Sequence, residues 1–322
     1  MSDGGKAGGW LSRFRQQRDN ALPVTVVGAA VFDLVARADG LPPRGGDLPV
    51  AYQGTHLGGC ALNIVLALQR LGVACEALLP VGEGMWADRL RVEMARLGVR
   101  SRIQAAGEDN GWCLALVEPD GERTFITLDG VENRWRREWL EPLTPAAGLA
   151  YFSGYQLAAP GGGALIAWLE ALPAAVVPVL DFGPRLDRMS DALLQRLIRP
   201  GVILTLNERE AGLLGMGADV AAFCRELWQR TGQLVVVRQG ERGCYYFRAE
   251  DDAGQLAAYP THVVDTIGAG DSHCAGLMAG LARGLTARDS LTLAGVVSAY
   301  VVAHRGGDCA PDLAQLTAFA AG

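Results

Sequence analysis

Two hydrophobic periods alternate along the second half of the chain. From about residue 148, short apolar runs typical of strands ("GLAYFSGY", "AVVPVLDFG", "GVILTLN" and "QLVVVRQG") are separated by segments of helical period at 161–172, at 189–198 and on through 230. A strand, a helix and a second strand in this order predict a right-handed crossover between parallel strands. The pattern therefore predicts an α/β fold with a central, mostly parallel sheet and helices on both faces.

The first half of the chain interrupts this rhythm. An apolar strand in "LPVTVVGAAVFDLVA" is followed by a helix that begins after Gly59 in "GGCALNIVLALQRLG". Two segments, at about 35–57 and 111–129, have the alternation and the turn residues of short strands, and the second is a predicted hairpin with the turn "PDG". We expect these two segments to form a small β-rich lid beside the main sheet.

Composition sets the size and the setting of this domain. Residues 1–20 have no sustained apolar period and predict a mobile tail, whereas 21–322 are predicted to be one domain, since half of the 322 residues are hydrophobic and only 20% are charged. The net charge of −6 argues against binding to nucleic acid, which needs clustered cations. No apolar run is long enough to span a bilayer, and the N-terminus lacks the apolar core of a secretory signal. We expect a cytoplasmic protein that does not associate with membranes.

Cysteine and lysine usage narrows the chemistry. The seven cysteines are widely spaced and form no C-x-x-C pair, which argues against a zinc site and against a disulfide framework. The only lysine is Lys6, inside the glycine-rich N-terminal tail. A Walker A loop, a protein-kinase ATP lysine and a Schiff-base lysine are therefore excluded. Any phosphate chemistry must rely on backbone amides, arginine and metal.

The segment "VVDTIGAGDSHCAGLMAGL" places a carboxylate where glycines precede an apolar helix. The helical period starts at 268–271, where unpaired N–H groups and the positive end of the helix dipole favour an anion. One interpretation is that Asp271 simply caps the helix. The other is that the amides hold a phosphoryl group while Asp271 takes the proton of an attacking hydroxyl, with Asp265 as a second carboxylate at the preceding strand end.

Two motifs carry a resemblance to a known family. D-T-x-G-A-G-D followed by an apolar helix resembles the C-terminal signature of the PfkB (ribokinase-like) carbohydrate kinases. "LGGCALNIVLALQRLG", about 200 residues earlier, resembles their N-terminal signature G-G-x-x-x-N-x-A-x-x-x-x-x-L-G. The likeness spans about residues 22–317 and points to the bacterial sugar kinases without an assigned substrate. It implies a ribokinase-like fold, with ATP as phosphoryl donor and Mg²⁺ as cofactor.

The resemblance implies roles for the residues of both signatures. Asp271 matches the general base of the family, and the turn before it matches the anion hole. Asp33, after the first strand, matches the acid that binds sugar hydroxyls. The matching positions are Asp271, Gly268, Ala269 and Gly270 for catalysis, and Asp33, Gly58, Gly59 and Asn63 for the substrate. On its own, Asn63 would be more typical of an exposed polar residue in a first helical turn.

Two further motifs match the nucleotide side of the family's site. "TLNEREA" carries Asn207 and Glu210, which match the N-x-x-E motif of its magnesium and phosphate site. An asparagine at a strand end and a glutamate one helical turn later can hold metal-bound waters, although alone they would be typical of a helix cap. "VVVRQGERGCYYF" resembles the G-x-x-G turn beside the nucleotide, which places Gly240 and Gly243 there, and it is equally compatible with an ordinary hairpin turn.

The remaining matches are less complete. In "DFGPRL", Arg185 matches a phosphate or substrate contact, although a glycine stands where the family usually has asparagine. "HRGGDCAPD" resembles a glycine loop that forms a K⁺ site with Asp265 and Thr266 in many relatives. Cys60 stands where phosphosugar kinases of the family often have lysine, which favours an unphosphorylated substrate. His273 stands where phenylalanine is common, and we interpret it as a packing residue.

These expectations converge on an ATP-dependent kinase that phosphorylates a hydroxyl of a free sugar or related polyol, with Asp271 as base. One alternative keeps the fold and changes the acceptor to a nucleoside. A second alternative is a non-catalytic sugar-binding regulator, against which the intact signatures argue. An NAD-dependent dehydrogenase is disfavoured because "VVGAAVFD" lacks the G-x-G-x-x-G turn. Apolar lid strands such as "GWCLALV" further suggest a homodimer formed through the lid.

Overall fold

The computed structural model describes residues 7–17, 22–119 and 123–321. The strands of these ranges are, in chain order, β1 (Val24–Val27), β2 (Val31–Arg37), β3 (Ala51–Gly58), β4 (Glu76–Leu78), β5 (Trp112–Val117), β6 (Arg123–Leu128), β7 (Gly148–Ser153), β8 (Val176–Asp181), β9 (Ile203–Asn207), β10 (Val235–Arg238), β11 (Cys244–Ala249) and β12 (Asp252–Leu256). The helices are α1 (Ala7–Gln16), α2 (Cys60–Arg70), α3 (Met85–Arg96), α4 (Arg137–Leu140), α5 (Gly154–Leu157), α6 (Gly163–Glu170), α7 (Asp191–Leu197), α8 (Glu208–Leu213), α9 (Val220–Thr231), α10 (Ala269–Ala282), α11 (Ala287–Val302) and α12 (Leu313–Ala321).

The main sheet has eight strands in the order β12-β11-β10-β9-β8-β7-β1-β4. From β4 to β10 every neighbouring pair is parallel, and only β11 and β12 add to the edge in antiparallel fashion. The predicted mostly parallel sheet is confirmed. Because parallel strands run in the same direction, their carboxyl ends meet at one edge of the sheet, where the loops into the following helices begin.

Helices cover both faces of this sheet, as predicted. Along β10, Val236 points into a core built with α2, α10 and α11, whereas Val235 and Val237 point into a second core built with α6 and α9. This alternation is what a strand buried on two sides requires, since successive side chains point to opposite faces. None of the described helices has both the length and the apolar character needed to cross a membrane.

A second, smaller sheet has the order β3-β2-β5-β6. β3, β5 and β6 come from the two segments predicted to be β-rich, whereas β2 begins at Val31, before the first of those segments. β2 and β5 are parallel, and β5 and β6 form the expected antiparallel hairpin, although Asp120 and Gly121 of its turn lie outside the described residues. The edge strand β6 leaves large apolar side chains in solvent: Phe125, Ile126 and Leu128 are 57%, 51% and 55% exposed.

The prediction of a mobile tail over residues 1–20 is wrong for 7–16, which form α1. Trp10 and Phe14 of this helix are buried against the α2, α10 and α11 core. The guanidinium of Arg283 lies 4.0 Å from the centre of the Phe14 ring and donates a hydrogen bond to the Phe14 carbonyl. Two aromatic residues one helical turn apart formed the apolar stripe, which the polar composition of the segment concealed. The rest of the predicted tail, 1–6 and 18–20, lies outside the described residues.

Candidate active site

The glycine turn before α10 forms the centre of the candidate site. Gly268 is the N-cap residue of α10 and has a φ of 74°, a left-handed conformation that glycine adopts without strain. A Cβ at Gly268 would also lie 2.6 Å from the Cα of Gly307, in the loop between α11 and α12. The helix start is therefore where the sequence predicted it. The first backbone N–H groups of α10 lie at the positive end of the helix dipole, which favours binding of an anion there.

Asp271 does not cap α10, because Gly268 occupies the cap position and Asp271 stands in the first turn. Its carboxylate instead accepts a hydrogen bond of 2.8 Å from the side-chain amide of Asn63 on α2. The interpretation of Asp271 as a simple helix cap is therefore wrong. Asn63 does stand in the first turn of α2, but it is half-buried and bonded to Asp271 rather than on an exposed face. Burial raises the pKa of Asp271, and hydrogen bonds from Asn63 and from the Cys60 thiol partly offset that rise.

The start of α2 links Asp271 to Asp33. Gly59 is the N-cap residue of α2, with a φ of 106°, and a Cβ there would lie 2.5 Å from the carbonyl oxygen of Ala29. A Cβ at Gly58 would overlap the carboxylate of Asp33, so this glycine makes room for the acid. Burial raises the pKa of Asp33 to about 6, against the opposing effect of His56, which pairs with it across β2 and β3.

A cluster of charged side chains lies at the carboxyl ends of the central strands. Arg238, at the end of β10, donates two hydrogen bonds to Asp181 at the end of β8, of 3.1 and 3.3 Å. Its Nη2 atom also lies 3.8 Å from Oε2 of Glu210. All three side chains are at most 12% exposed. Burial and the Asp181 charge together raise the pKa of Glu210 to about 7, although Arg238 opposes them.

Asn207 and Glu210 form a reciprocal capping box at the start of α8. Both carboxylate oxygens of Glu210 accept hydrogen bonds from Asn207, one from its backbone N–H at 3.0 Å and one from its side-chain amide at 2.7 Å. The Glu210 side chain is also only 2% exposed. A directly bound Mg²⁺ would need access to a carboxylate oxygen, and the Glu210 carboxylate is nearly buried with each oxygen already accepting a hydrogen bond. The residues therefore do not fit direct Mg²⁺ ligation, and a role through metal-bound water stays a prediction.

The G-x-x-G segment is the turn between β10 and β11. Gly240 and Gly243 both have positive φ, of 57° and 87°. A Cβ at Gly243 would overlap backbone atoms of Leu256, at the end of β12, and of the two residues after it, so only glycine fits there. Arg242 of this turn forms an ion pair with Glu208 in the first turn of α8. The turn is thus joined to the Asn207 region, although it is also the ordinary hairpin turn that the sequence allowed.

Arg185 lies on the lid side of the site. It belongs to a 3₁₀ turn after β8, and its guanidinium lies 5.5 Å from the ring centre of Tyr155. Burial raises the pKa of the Cys113 thiol on β5, and the charges of both Asp33 and Arg185 act on it. This shared neighbour places Arg185 on the same side as Asp33.

The predicted K⁺ segment packs directly against the glycine turn. Asp265 accepts hydrogen bonds from the backbone N–H groups of Ile267 at 3.1 Å and of Gly306 at 3.2 Å. The Thr266 carbonyl accepts one from Ala269 at 3.3 Å. Asp265 therefore fixes the loop that carries Gly307. Burial lowers the pKa of His273 to about 3, which keeps that ring neutral and fits the packing role expected for it.

Asp181 and Arg238 were not among the site residues predicted from the sequence. A signal was present, because each is a charged residue that directly follows a run of buried strand residues: "VVPVLD" in β8 and "VVVR" in β10. Charged side chains at the carboxyl ends of parallel strands face the edge at which α/β proteins bind ligands.

Residues 22–313 match the pfkB family carbohydrate kinase domain. The chain belongs to the pfkB family. Its sequence is 49% identical over 298 residues to an uncharacterized sugar kinase, YegV, of Escherichia coli strain K12, a match that covers 91% of this chain and 92% of that protein. The family and this relative make the chain a phosphotransferase.

Solved structures share the fold of this pfkB-family chain. Ribokinase of Thermotoga maritima matches with a TM-score of 0.81 and 18% identity, over 94% of this chain and all of that one. A nucleoside kinase of Burkholderia thailandensis in complex with inosine matches with a TM-score of 0.77 and 23% identity, over 92% of this chain and 95% of that one. A ribokinase II of Escherichia coli in complex with ATP and Mg²⁺ matches with a TM-score of 0.77 and 20% identity, over 93% of this chain and 98% of that one. The expected ribokinase-like fold is confirmed.

Proposed function

We propose that this pfkB-family chain is an ATP-dependent kinase that transfers the γ-phosphoryl group to a hydroxyl of a free sugar or related polyol. The observation that carries the proposal is the hydrogen bond between Asn63 and Asp271. It joins the two signatures, separated by 208 positions, at the amide end of α10. A buried acid next to an anion-binding helix start is the arrangement that phosphoryl transfer to an alcohol needs.

Asp271 acts as the general base. The carboxylate takes the proton of the acceptor hydroxyl, the oxygen forms a bond to the γ-phosphorus, and the bond from that phosphorus to the bridging oxygen breaks, leaving ADP. A raised pKa suits this role, because a more basic carboxylate accepts the proton more readily. Asn63 holds the second oxygen and so orients the base.

The amides of Gly268, Ala269 and Gly270 form the anion hole. As the γ-phosphoryl group transfers, charge develops on its oxygens, and fixed N–H groups stabilise that charge without having to reorganise. The Gly268 conformation and its contact with Gly307 hold the turn in place. Preorganisation of this kind is the largest contribution a protein makes to such a reaction.

The acceptor binds between Asp33 and the start of α2. An ionised Asp33 accepts hydrogen bonds from sugar hydroxyls, and Gly58 and Gly59 leave space beside it. The small sheet covers the acceptor and keeps water from competing for the phosphoryl group. The neutral Cys60 thiol beside Asp271 supports an acceptor that carries no phosphate.

The nucleotide occupies the opposite side, near the ends of β9 and β10. Asn207, Glu210, Gly240 and Gly243 border it, and Arg185 approaches the phosphates or the acceptor from the lid. Mg²⁺, when bound, would neutralise charge on the phosphates, and Asn207 and Glu210 would hold it through its bound waters. The carbonyls of the 304–309 loop, with Asp265 and Thr266, are the proposed K⁺ site.

A screen of acceptors tests the proposed function. Full-length protein is mixed with ATP, Mg²⁺ and one of a panel of sugars, polyols and nucleosides, and ADP release is measured by a coupled assay. We expect turnover with a member of the sugar and polyol group. Turnover confined to nucleosides would replace the acceptor class, and tight binding without turnover of any acceptor would favour a non-catalytic regulator.

We further propose that the protein works in the cytoplasm and forms a homodimer through the small sheet. The support is the exposed apolar surface of β6, since single molecules seldom leave several large apolar side chains together in solvent.

A further inference from the structure

Arg238 is the one cation at the centre of the charged cluster described above. It lies at the carboxyl end of β10, with a side chain 12% exposed, and its two hydrogen bonds to Asp181 fix the plane of the guanidinium. Paired donation of this kind orients arginine far more strictly than a single contact would. The Asp181 side chain is 9% exposed and also accepts a hydrogen bond of 3.3 Å from the Cys274 thiol of α10.

Gly270 is the residue at which this cluster contacts the glycine turn before α10, residues 268–270, called the catalytic turn below. A Cβ at Gly270 would lie 2.8 Å from Nη1 of Arg238, so the absence of a side chain is what lets the guanidinium approach the first turn of α10. Nη1 lies 3.8 Å from the sulfur of Cys274, one turn further along the same helix. The second glycine of the G-A-G run thus makes room for a protein side chain.

We propose that Arg238 is a positioning residue of the catalytic turn: held by Asp181 against Gly270, its guanidinium fixes the start of α10 and supplies positive charge behind Asp271. The inference rests on the proposed function, since it assigns a role within the same site. Arg238 touches neither reacting group. Arg238 acts by holding the catalytic turn in place and through the electrostatic field of its positive charge.

The electrostatic field at the Asp271 carboxyl comes from side chains on several helices and strands. The charged and titratable groups that face this carboxyl are Cys60 on α2, Tyr151 on β7, Asp181 on β8, Tyr155 on α5, Arg238 on β10 and Cys274 on α10. Among them Arg238 is the only cation. It lowers the pKa of Asp271, whereas Asp181 raises it. Removing one member of the pair should therefore shift the ionisation of Asp271 in the opposite direction from removing the other.

Carbon-13 NMR of the aspartate carboxyl groups in full-length protein, titrated without ligand, tests this. The Asp271→Asn spectrum identifies the resonance. We expect Arg238→Met to raise the Asp271 midpoint by roughly one pH unit and Asp181→Asn to lower it, the size expected for a nearby charge. Arg238→Lys keeps the charge and should stay near the wild-type midpoint. The double variant Arg238→Met with Asp181→Asn should do the same.

Arg248→Met is the matched control, since this arginine of β11 is 59% exposed and pairs with Asp252. It should leave the Asp271 midpoint unchanged. Thermal unfolding identifies any variant that fails to fold. If Arg238→Met does not fold, Asp181→Asn, Arg238→Lys and the double variant still carry the comparison.

An unchanged midpoint in folded Arg238→Met and Asp181→Asn, or a shift of both in the same direction, would overturn the role of Arg238. The NMR readout needs no turnover, so this failure is distinct from that of the proposed function, which is decided by the acceptor screen.

Discussion

The start of α10 and the edge strand β6 of the small sheet differ in how their side chains are partnered. At α10, Asp271 accepts a hydrogen bond from Asn63, and Gly268 packs against Gly307. On the small sheet, the side chains of Phe125, Ile126 and Leu128 are more than half exposed. A change at α10 must therefore disturb groups on other elements. A change on β6 should stay local unless another molecule covers that edge strand.

This difference separates two tasks. Reacting groups need positions held by elements that are themselves fixed, which the buried strand ends and α10 provide. The proposed covering of the substrate and the proposed assembly need a surface that can change without loss of the fold, and the exposed edge of the small sheet meets that need. Substitutions in the two regions should consequently differ in kind as well as in size.

The largest effect is expected at the base. Asp271→Asn keeps the shape but cannot accept a proton, so kcat should fall by about 10²–10⁴-fold, the usual contribution of a general base. Binding of ATP, measured by isothermal titration, should survive. Asp289→Asn is the control, because Asp289 stands in the first turn of α11 but pairs with Arg13 at the surface. Wild-type turnover by the Asp271 variant would remove the base assignment.

Next is Gly268→Ala, which forces a left-handed conformation on alanine and a contact with Gly307. The free energy of unfolding should fall by about 1–3 kcal/mol from the backbone strain alone, and more from the overlap. Gly284 lies at the other end of α10 with the same φ of 74°, and a Cβ there would meet nothing within 4 Å. Denaturant unfolding of Gly284→Ala therefore measures the strain without the overlap.

Activity separates these two glycine variants further. Gly268→Ala should also reduce turnover, because it moves the catalytic turn, whereas Gly284→Ala should lose stability only. Equal losses of stability and activity in the two variants would mean that the Gly307 contact is unimportant.

The same contrast explains what the sequence could predict. Strands of the main sheet are buried on both faces, so their continuous apolar runs were readable, as was the helix start at Gly268. The contact between Asp181 and Arg238 was not, because it joins residues 57 positions apart whose strands have β9 between them. Strand order, which no local pattern encodes, brought them together. In α1, the polar residues of the exposed side likewise masked the apolar pattern formed by its two buried aromatic residues.

A smaller effect is expected from pH at Asp33. Its pKa of about 6 means that the carboxyl is ionised at pH 7 and mostly protonated at pH 5. Only the ionised form accepts two hydroxyl hydrogen bonds, so acceptor affinity should fall by roughly tenfold over this range, as linkage to one proton requires. Isothermal titration in the Asp271→Asn background isolates the effect from catalysis. Addition of Asp33→Asn should abolish the pH dependence, and its persistence would assign the titration to another group.

The smallest effect on the fold is expected on the small sheet, at Phe125→Gln. Because this side chain is 57% exposed, the free energy of unfolding should change by no more than about 0.5 kcal/mol. Sedimentation equilibrium should nevertheless show a shift from dimer to monomer, since a polar group would enter the proposed interface. Val92→Gln, at a 66% exposed apolar position of α3, should leave the assembly unchanged. A wild-type protein that is monomeric at all concentrations would contradict the dimer, and the two regions would then differ only in burial.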